Sequence, residues 1–124
     1  MKPESYQKAL IAANAALDKQ AEDVTVLDVR ALSTVTDFFI IASASTTRQS
    51  VAIAEWIDHE LTRCAGNVLH VEGLKKGVPG LDRLSWVLID CGDLVVHVFN
   101  PPAREFYQLE RLWADAPRIA VESA

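Results

Sequence analysis

Hydrophobic and polar positions along the chain follow two periods, one helical and one of strands. Tyr6, Leu10, Ala13 and Leu17 recur at helical spacing and predict a first helix over residues 3–20, with Pro3 in its first turn and Glu22-Asp23 breaking it. VTVLDV over 24–29 predicts a strand, 31–36 a turn, and DFFIIASA over 37–44 a second strand. The nearly continuous apolar centre of that second strand predicts burial on both faces. Thr46 and Gln49 form a capping box opening a second helix, with Val51, Ala54, Ile57, Leu61 and Cys64 as its buried stripe. Gly66-Asn67 close it as a left-handed cap. A short strand over 68–72 and a glycine-rich loop over 73–84 follow, the loop being the best candidate for mobility. Two strands, WVLIDC and LVVHVF, then meet at Gly92-Asp93, a two-residue hairpin loop. Asn100 caps a last helix with Pro101 at its first position. It runs as far as Trp113, with Phe106, Leu109 and Trp113 as its core stripe and Leu112 beside it. From Asp115 the chain is expected to be extended.

The order α-β-β-α-β-β-β-α predicts an α/β (α+β) single domain, residues 1–124, with a mixed, roughly five-stranded sheet and flanking helices. Strands separated by the second helix should run parallel and the last two antiparallel.

The hairpin carries the most information. With Gly92-Asp93 as its loop, Cys91 faces Leu94, Ile89 faces Val96, Leu88 faces His97 and Trp86 faces Phe99. Alternation then puts Val87, Ile89, Cys91, Leu94, Val96 and Val98 on one face, which is pure core. The other face mixes Trp86, Leu88, Asp90, Val95, His97 and Phe99. A slip of one residue would exchange the faces, so the core face pins the register. The mixed face has three readings. A helix can cover it, with Asp90 and His97 at a wet margin. It can be an exposed face that docks a partner, since aromatic anchors among a few polar groups mark interface hot spots. Or Asp90 and His97 can be a catalytic pair, although no nucleophile or third group lies near them in sequence.

At 124 residues the chain is long enough to bury a core without disulfides or metal, and its 50% hydrophobic and 23% charged residues are those of an ordinary globular domain. No apolar run is long enough to span a membrane, and MKPESYQKAL lacks a signal-peptide hydrophobic region, so a cytoplasmic protein is expected. Cys64 and Cys91 are expected to be reduced, buried thiols. The net charge of −5 argues against direct, sequence-specific nucleic-acid binding and suits a basic protein partner. The densest basic group, Lys75, Lys76 and Arg83, lies in the loop.

Chemistry has little foothold. His59, His70 and His97 are scattered and there is no Cys-x-x-Cys, so no metal or cofactor is expected. His59 should be solvated and His70 should point outward. Ser43–Arg48 runs from strand to helix and can hold an anion, but it has no glycine and reads more simply as a cluster of N-cap residues. Asp90 and Asp93 flank a turn and read as turn chemistry. Nothing resembles a nucleophile elbow.

The chain resembles the Iojap-like family of ribosomal silencing factors from about Asp23 to Arg118, leaving 119–124 as an expected flexible tail. The resemblance rests on LDVRALSTVTDFFIIAS, TTRQSVAIA, Glu72-Gly73, WVLIDCGDLVVHVF and REFYQLERLWADAP, in that order and spacing. The chain departs in a longer loop before Trp86, and in Cys91, where tyrosine or leucine is common. The resemblance implies a nucleotidyltransferase-like core without its catalytic carboxylates, and no enzymatic activity. It implies binding to the large ribosomal subunit through its protein fourteen, a steric block to subunit joining, repression of translation when nutrients are scarce, and a homodimer. On this basis Trp86, Leu88, Asp90, His97 and Phe99 are the expected docking face, extended by Arg104 and Tyr107. Trp86 and Phe99 would anchor it, and Asp90 and His97 would orient the partner. Asp37 and Arg48 match the family pattern, and an ion pair between them explains both. The alternatives are a nucleotidyltransferase-like enzyme or nucleotide-binding protein using the Ser43–Arg48 turn, and a ribosome assembly factor.

Overall fold

The computed structural model describes residues 5–65, 70–72, 86–119 and 121. Pro3, the Gly66-Asn67 cap and the loop with Lys75, Lys76 and Arg83 lie outside the described residues, as does the side chain of His70. The elements are α1 (Ser5–Asp18), β1 (Glu22–Asp28), β2 (Phe38–Ser43), α2 (Thr47–Ala65), β3 (His70–Glu72), β4 (Trp86–Asp90), β5 (Leu94–Phe99), α3 (Pro101–Tyr107), α4 (Leu109–Leu112) and β6 (Arg118–Ile119).

The strands form one six-stranded sheet in the order β3-β4-β5-β2-β1-β6. The central pair, β2 and β5, is parallel, and every other pairing is antiparallel. The strand beyond the expected five is β6, from the segment expected to be merely extended. Ile119, assigned to the tail, pairs with Val26.

Side-chain alternation splits the core in two. Val26, Ile40, Val87, Ile89, Val96 and Val98 point to the side that packs on α1 and α2. Leu27, Val29, Ile41 and Phe99 point to the other side, where α3, α4 and the turn after it supply Ala103, Tyr107, Leu109, Trp113 and Ala116. β2 contributes to both clusters, as its continuous apolar run requires.

α1 meets this core through small residues. Its buried face is Ala9, Ala12, Ala13, Ala15 and Ala16; of the expected stripe only Ala13 lies on it, while Tyr6 is 43% exposed and Leu10 and Leu17 are half-buried. Alanine lets the helix lie close to sheet and neighbour, so the contact selects size over hydrophobicity. The helix ends in a Schellman arrangement and not by charge at Glu22-Asp23: Ala21 N–H donates to Ala16 O at 3.0 Å, Gln20 N–H to Leu17 O at 2.9 Å, and Gln20 takes φ 63°. Glu22 already belongs to β1. The capping box is displaced by one residue. Gln49 N–H donates to Thr46 Oγ1 at 3.0 Å as expected, but Gln49 Oε1 accepts from Ser45 N–H at 2.7 Å. Its Nε2 donates to Gln20 O at 2.9 Å, fastening the start of α2 to the end of α1. On α2 the buried residues include Ile53, Ala54, Ile57 and Leu61, while Cys64 is exposed and Val51 half-buried.

The last helix is interrupted. Gln108 adopts a left-handed conformation, φ 48° and ψ 49°, and caps α3 by donating its N–H to Arg104 O at 3.0 Å. The chain restarts as the single turn α4. Phe106 and Leu112, expected in or beside the core stripe, are therefore 69% and 74% exposed, while Leu109 and Trp113 keep their inward places.

Candidate functional site: the mixed sheet face and its aromatic ridge

The hairpin forms in the register that alternation requires. Trp86 pairs with Phe99, Leu88 with His97, Ile89 with Val96 and Asp90 with Val95. Gly92 takes φ 83°, and Asp90 accepts the Gly92 N–H at 2.9 Å. Asp90 is therefore a turn residue, at the opposite end of β4 from Trp86. Asp93, also in the turn, pairs with Lys8 Nζ at 2.7 Å and so ties the hairpin to α1.

The mixed face is partly covered. Phe99 is 0% and His97 5% exposed, so neither presents surface to a partner; that half of the face is covered, and His97 is buried rather than at a wet margin. α3 provides the cover because Asn100 starts it tightly, accepting the Ala103 N–H at 3.0 Å, with proline at the first helical positions. Trp86, Leu88, Asp90, Val95 and Tyr107 remain half-buried. Glu72 is exposed and opposes Leu88 on the same side of the sheet.

Trp86 is the junction of the site. Its ring centroid lies 5.2 Å from Phe99 and 4.7 Å from Tyr107. Its indole Nε1–H donates to His97 Nδ1 at 3.1 Å. Beyond Tyr107 the exposed ring of Phe106 follows at 5.1 Å, edge to face. Trp86, Tyr107 and Phe106 thus form a continuous aromatic ridge from sheet to helix. Phe39 lies beneath, at 5.2 Å from His97 and 5.1 Å from Trp113, both edge to face. Burial drives the His97 pKa down to about 4, so its ring is neutral at ordinary pH. Burial likewise pushes the Cys91 thiol up to about 11, which makes it a poor nucleophile.

Arg104 does not join this cluster. Its guanidinium turns toward β1 and β2, donating to Ser43 Oγ at 2.8 Å and Thr25 Oγ1 at 3.3 Å, and its Nε to Glu110 at 2.7 Å. Glu110 also meets Arg118 at 3.5 Å. Beside it opens a cavity of about 490 Å³, lined in part by Glu22, Asp23, Glu105 and Gln108. Arg104 is a fastener between α3, α4 and the sheet.

The Ser43–Arg48 turn uses its polar groups internally: Ser43 accepts from Arg104, and Thr46 caps α2. Asp37 and Arg48 make no ion pair among the described residues, since they flank opposite ends of β2, a strand of six residues. His59 is exposed and stacks on Trp56 at 5.1 Å with the rings 9° from parallel. Among the described residues no group of three or more His, Cys, Asp or Glu is placed to hold a metal ion, and no helix is long and apolar enough to cross a membrane.

Phe106 and Phe39 were missed by sequence reasoning. Phe106 was assigned to the core because nothing marked Gln108 as a break. Phe39 was hidden in an apolar run, although counting alternation from Phe38 would have placed it on the face of Ile41 and opposite the α1–α2 side.

A family model described as "Ribosomal silencing factor during starvation" matches residues 2–124. The chain is 42% identical to the ribosomal silencing factor RsfS of Halalkalibacterium halodurans over 113 residues, which is 90% of each chain. It is 43% identical to the ribosomal silencing factor RsfS of Bacillus subtilis over 107 residues, 86% of this chain and 85% of that one. The crystal structure of a Chromobacterium violaceum protein superposes with a TM-score of 0.81 at 31% identity, covering 98% of this chain and 97% of the other. A match along nearly the whole sequence, together with a shared fold at this identity, places the chain in the family of ribosomal silencing factors.

Proposed function

We propose that this protein silences ribosomes as a binding protein, without catalysis. It docks on the large subunit through the subunit's protein fourteen, blocks joining of the small subunit sterically, and so represses translation under nutrient limitation in the cytoplasm. The observation that carries this reading is the ridge Trp86–Tyr107–Phe106 beside the half-open strip of Leu88 and Val95. Aromatic groups at the edge of a packed cluster, with an apolar strip and acidic neighbours such as Glu72 and Asp90, suit a basic protein surface. Trp86 anchors, Tyr107 packs and offers its hydroxyl, and Leu88 fills the strip. Phe99 and His97 act from below, Asp90 shapes the turn and Arg104 fixes α3. The homodimer implied by the family resemblance belongs to the same proposal, and sedimentation velocity over a range of concentrations tests it.

The experiment is co-sedimentation with separated ribosomal subunits at moderate and raised salt. The expected result is binding to the large subunit alone, with loss of subunit joining. Leu88→Arg, at a half-exposed position, should weaken binding at least about tenfold while the melting temperature holds, as for a buried hot-spot contact. Binding to neither subunit would overturn the proposal.

A further inference from the structure

Trp86 is half-exposed, yet its orientation is set from beneath. Its indole N–H donates to His97 Nδ1 at 3.1 Å while its ring packs on Phe99 and Tyr107. Because Nδ1 accepts, the imidazole proton resides on Nε2. That N–H is buried and has no hydrogen-bond partner among the described residues. A buried donor left unpaired costs stability, and a leucine of similar volume would fill the site without that cost. As packing alone, histidine is a poor choice here. The one hydrogen bond the ring makes among the described residues is the one that holds Trp86.

We infer that His97 is a positioning residue for docking: it fixes the Trp86 indole in the orientation that meets the large subunit, without touching the partner itself. This rests on the docking reading above. The physical basis is rotational freedom. The terminal torsion of tryptophan is broad, and without the acceptor the indole can turn its N–H to water. A side chain already ordered before contact loses less freedom on association, so the bond serves affinity by holding the anchor in place beforehand.

Two substitutions separate positioning from packing. His97→Leu keeps volume and removes the acceptor; His97→Asn restores an oxygen close to where Nδ1 stood. The free protein is read first, through the Trp86 indole N–H resonance, assigned by its loss in Trp86→Phe. In His97→Leu it should move toward the position of a water-exposed indole and exchange faster, while the melting temperature holds or rises. In His97→Asn it should return toward the wild-type position. Affinity for purified large subunits should fall about tenfold in His97→Leu and recover in His97→Asn. An unmoved resonance in His97→Leu would overturn the positioning role, and a moved resonance with unchanged affinity would overturn its link to docking. Equal losses of affinity and melting temperature in both variants would reduce His97 to packing. Wild-type protein that fails to bind large subunits would overturn the docking reading itself, and the free-protein resonance would still decide whether His97 holds Trp86.

Discussion

At the scale of single residues, burial sets the chemistry. His97 titrates near 4 in the folded protein against 6.5 for the free side chain, so the fold favours the neutral ring. The sign follows: the contribution is complete above pH 6.5, shrinks as pH falls, and is gone below about 4. Across that window His97 alone should destabilise the fold by about 3 kcal/mol. Urea unfolding at pH 7 and pH 4.5 reads most of it, and His97→Leu should flatten the difference. Asp28 is held below its usual range by Arg30, so its loss falls at lower pH, while Glu60, held down by Arg63, begins to lose its contribution at the acid end of this window; His97→Leu isolates the histidine. The two thiols should differ as sharply. Cys64 is exposed and should be alkylated within minutes in native protein at pH 8, whereas Cys91 should react only on unfolding, which mass spectrometry of timed samples can follow. The sequence reading makes both thiols buried, which holds for Cys91 and fails for Cys64. Cys91 sits on an alternating strand whose register is pinned by its turn, but Cys64 sits near the end of a helix, where a small rotation moves a residue from stripe to surface.

At the scale of elements, the junction of α3 and α4 is the least legible part of the chain and the most consequential. Phe106, Leu109 and Trp113 have the spacing of one continuous helix, and no glycine or proline announces the break. What wins is tertiary: Arg104 reaches Ser43, Thr25 and Glu110 together, and Leu109 and Trp113 pack inward only after the chain turns at Gln108. Arg104→Ala should destabilise the fold by about 2 kcal/mol, because Glu110 and Ser43 lose a charged donor in a half-buried place. Gln108→Gly should stabilise it by about 0.5–1 kcal/mol by relieving a left-handed residue that carries a Cβ. Chemical denaturation reads both. Where local chemistry was sufficient, as at Gly92 or Asn100, the element could be placed from the sequence. Where a distant arginine decides, it could not.

At the scale of the whole molecule, the two faces of the sheet are treated differently. α1 and α2 cover most of one, with Val24, Val71 and Ile119 half-buried at its margins, whereas α3 and α4 cover the other in part and leave the Trp86 end half-open. Alternation on the hairpin alone showed that the faces differ. It could not show how much of the mixed face the last helix would hide, because that depends on the direction in which the chain leaves Asn100. With a net charge of −5, attraction to a basic partner should appear mainly in the association rate. Stopped-flow binding to large subunits should slow severalfold from low to raised salt, while dissociation changes little.

The margins of the sheet have a consequence of their own. As described, β3 is three residues long and β6 only two. Among the described residues, each by itself gives an arriving strand few free backbone groups in a row. Short border strands limit the addition of neighbouring chains, a common route from folded β-protein to fibre. Beside the exposed Phe106 and Leu112, β3 and β6 themselves offer a neighbour little edge to pair with.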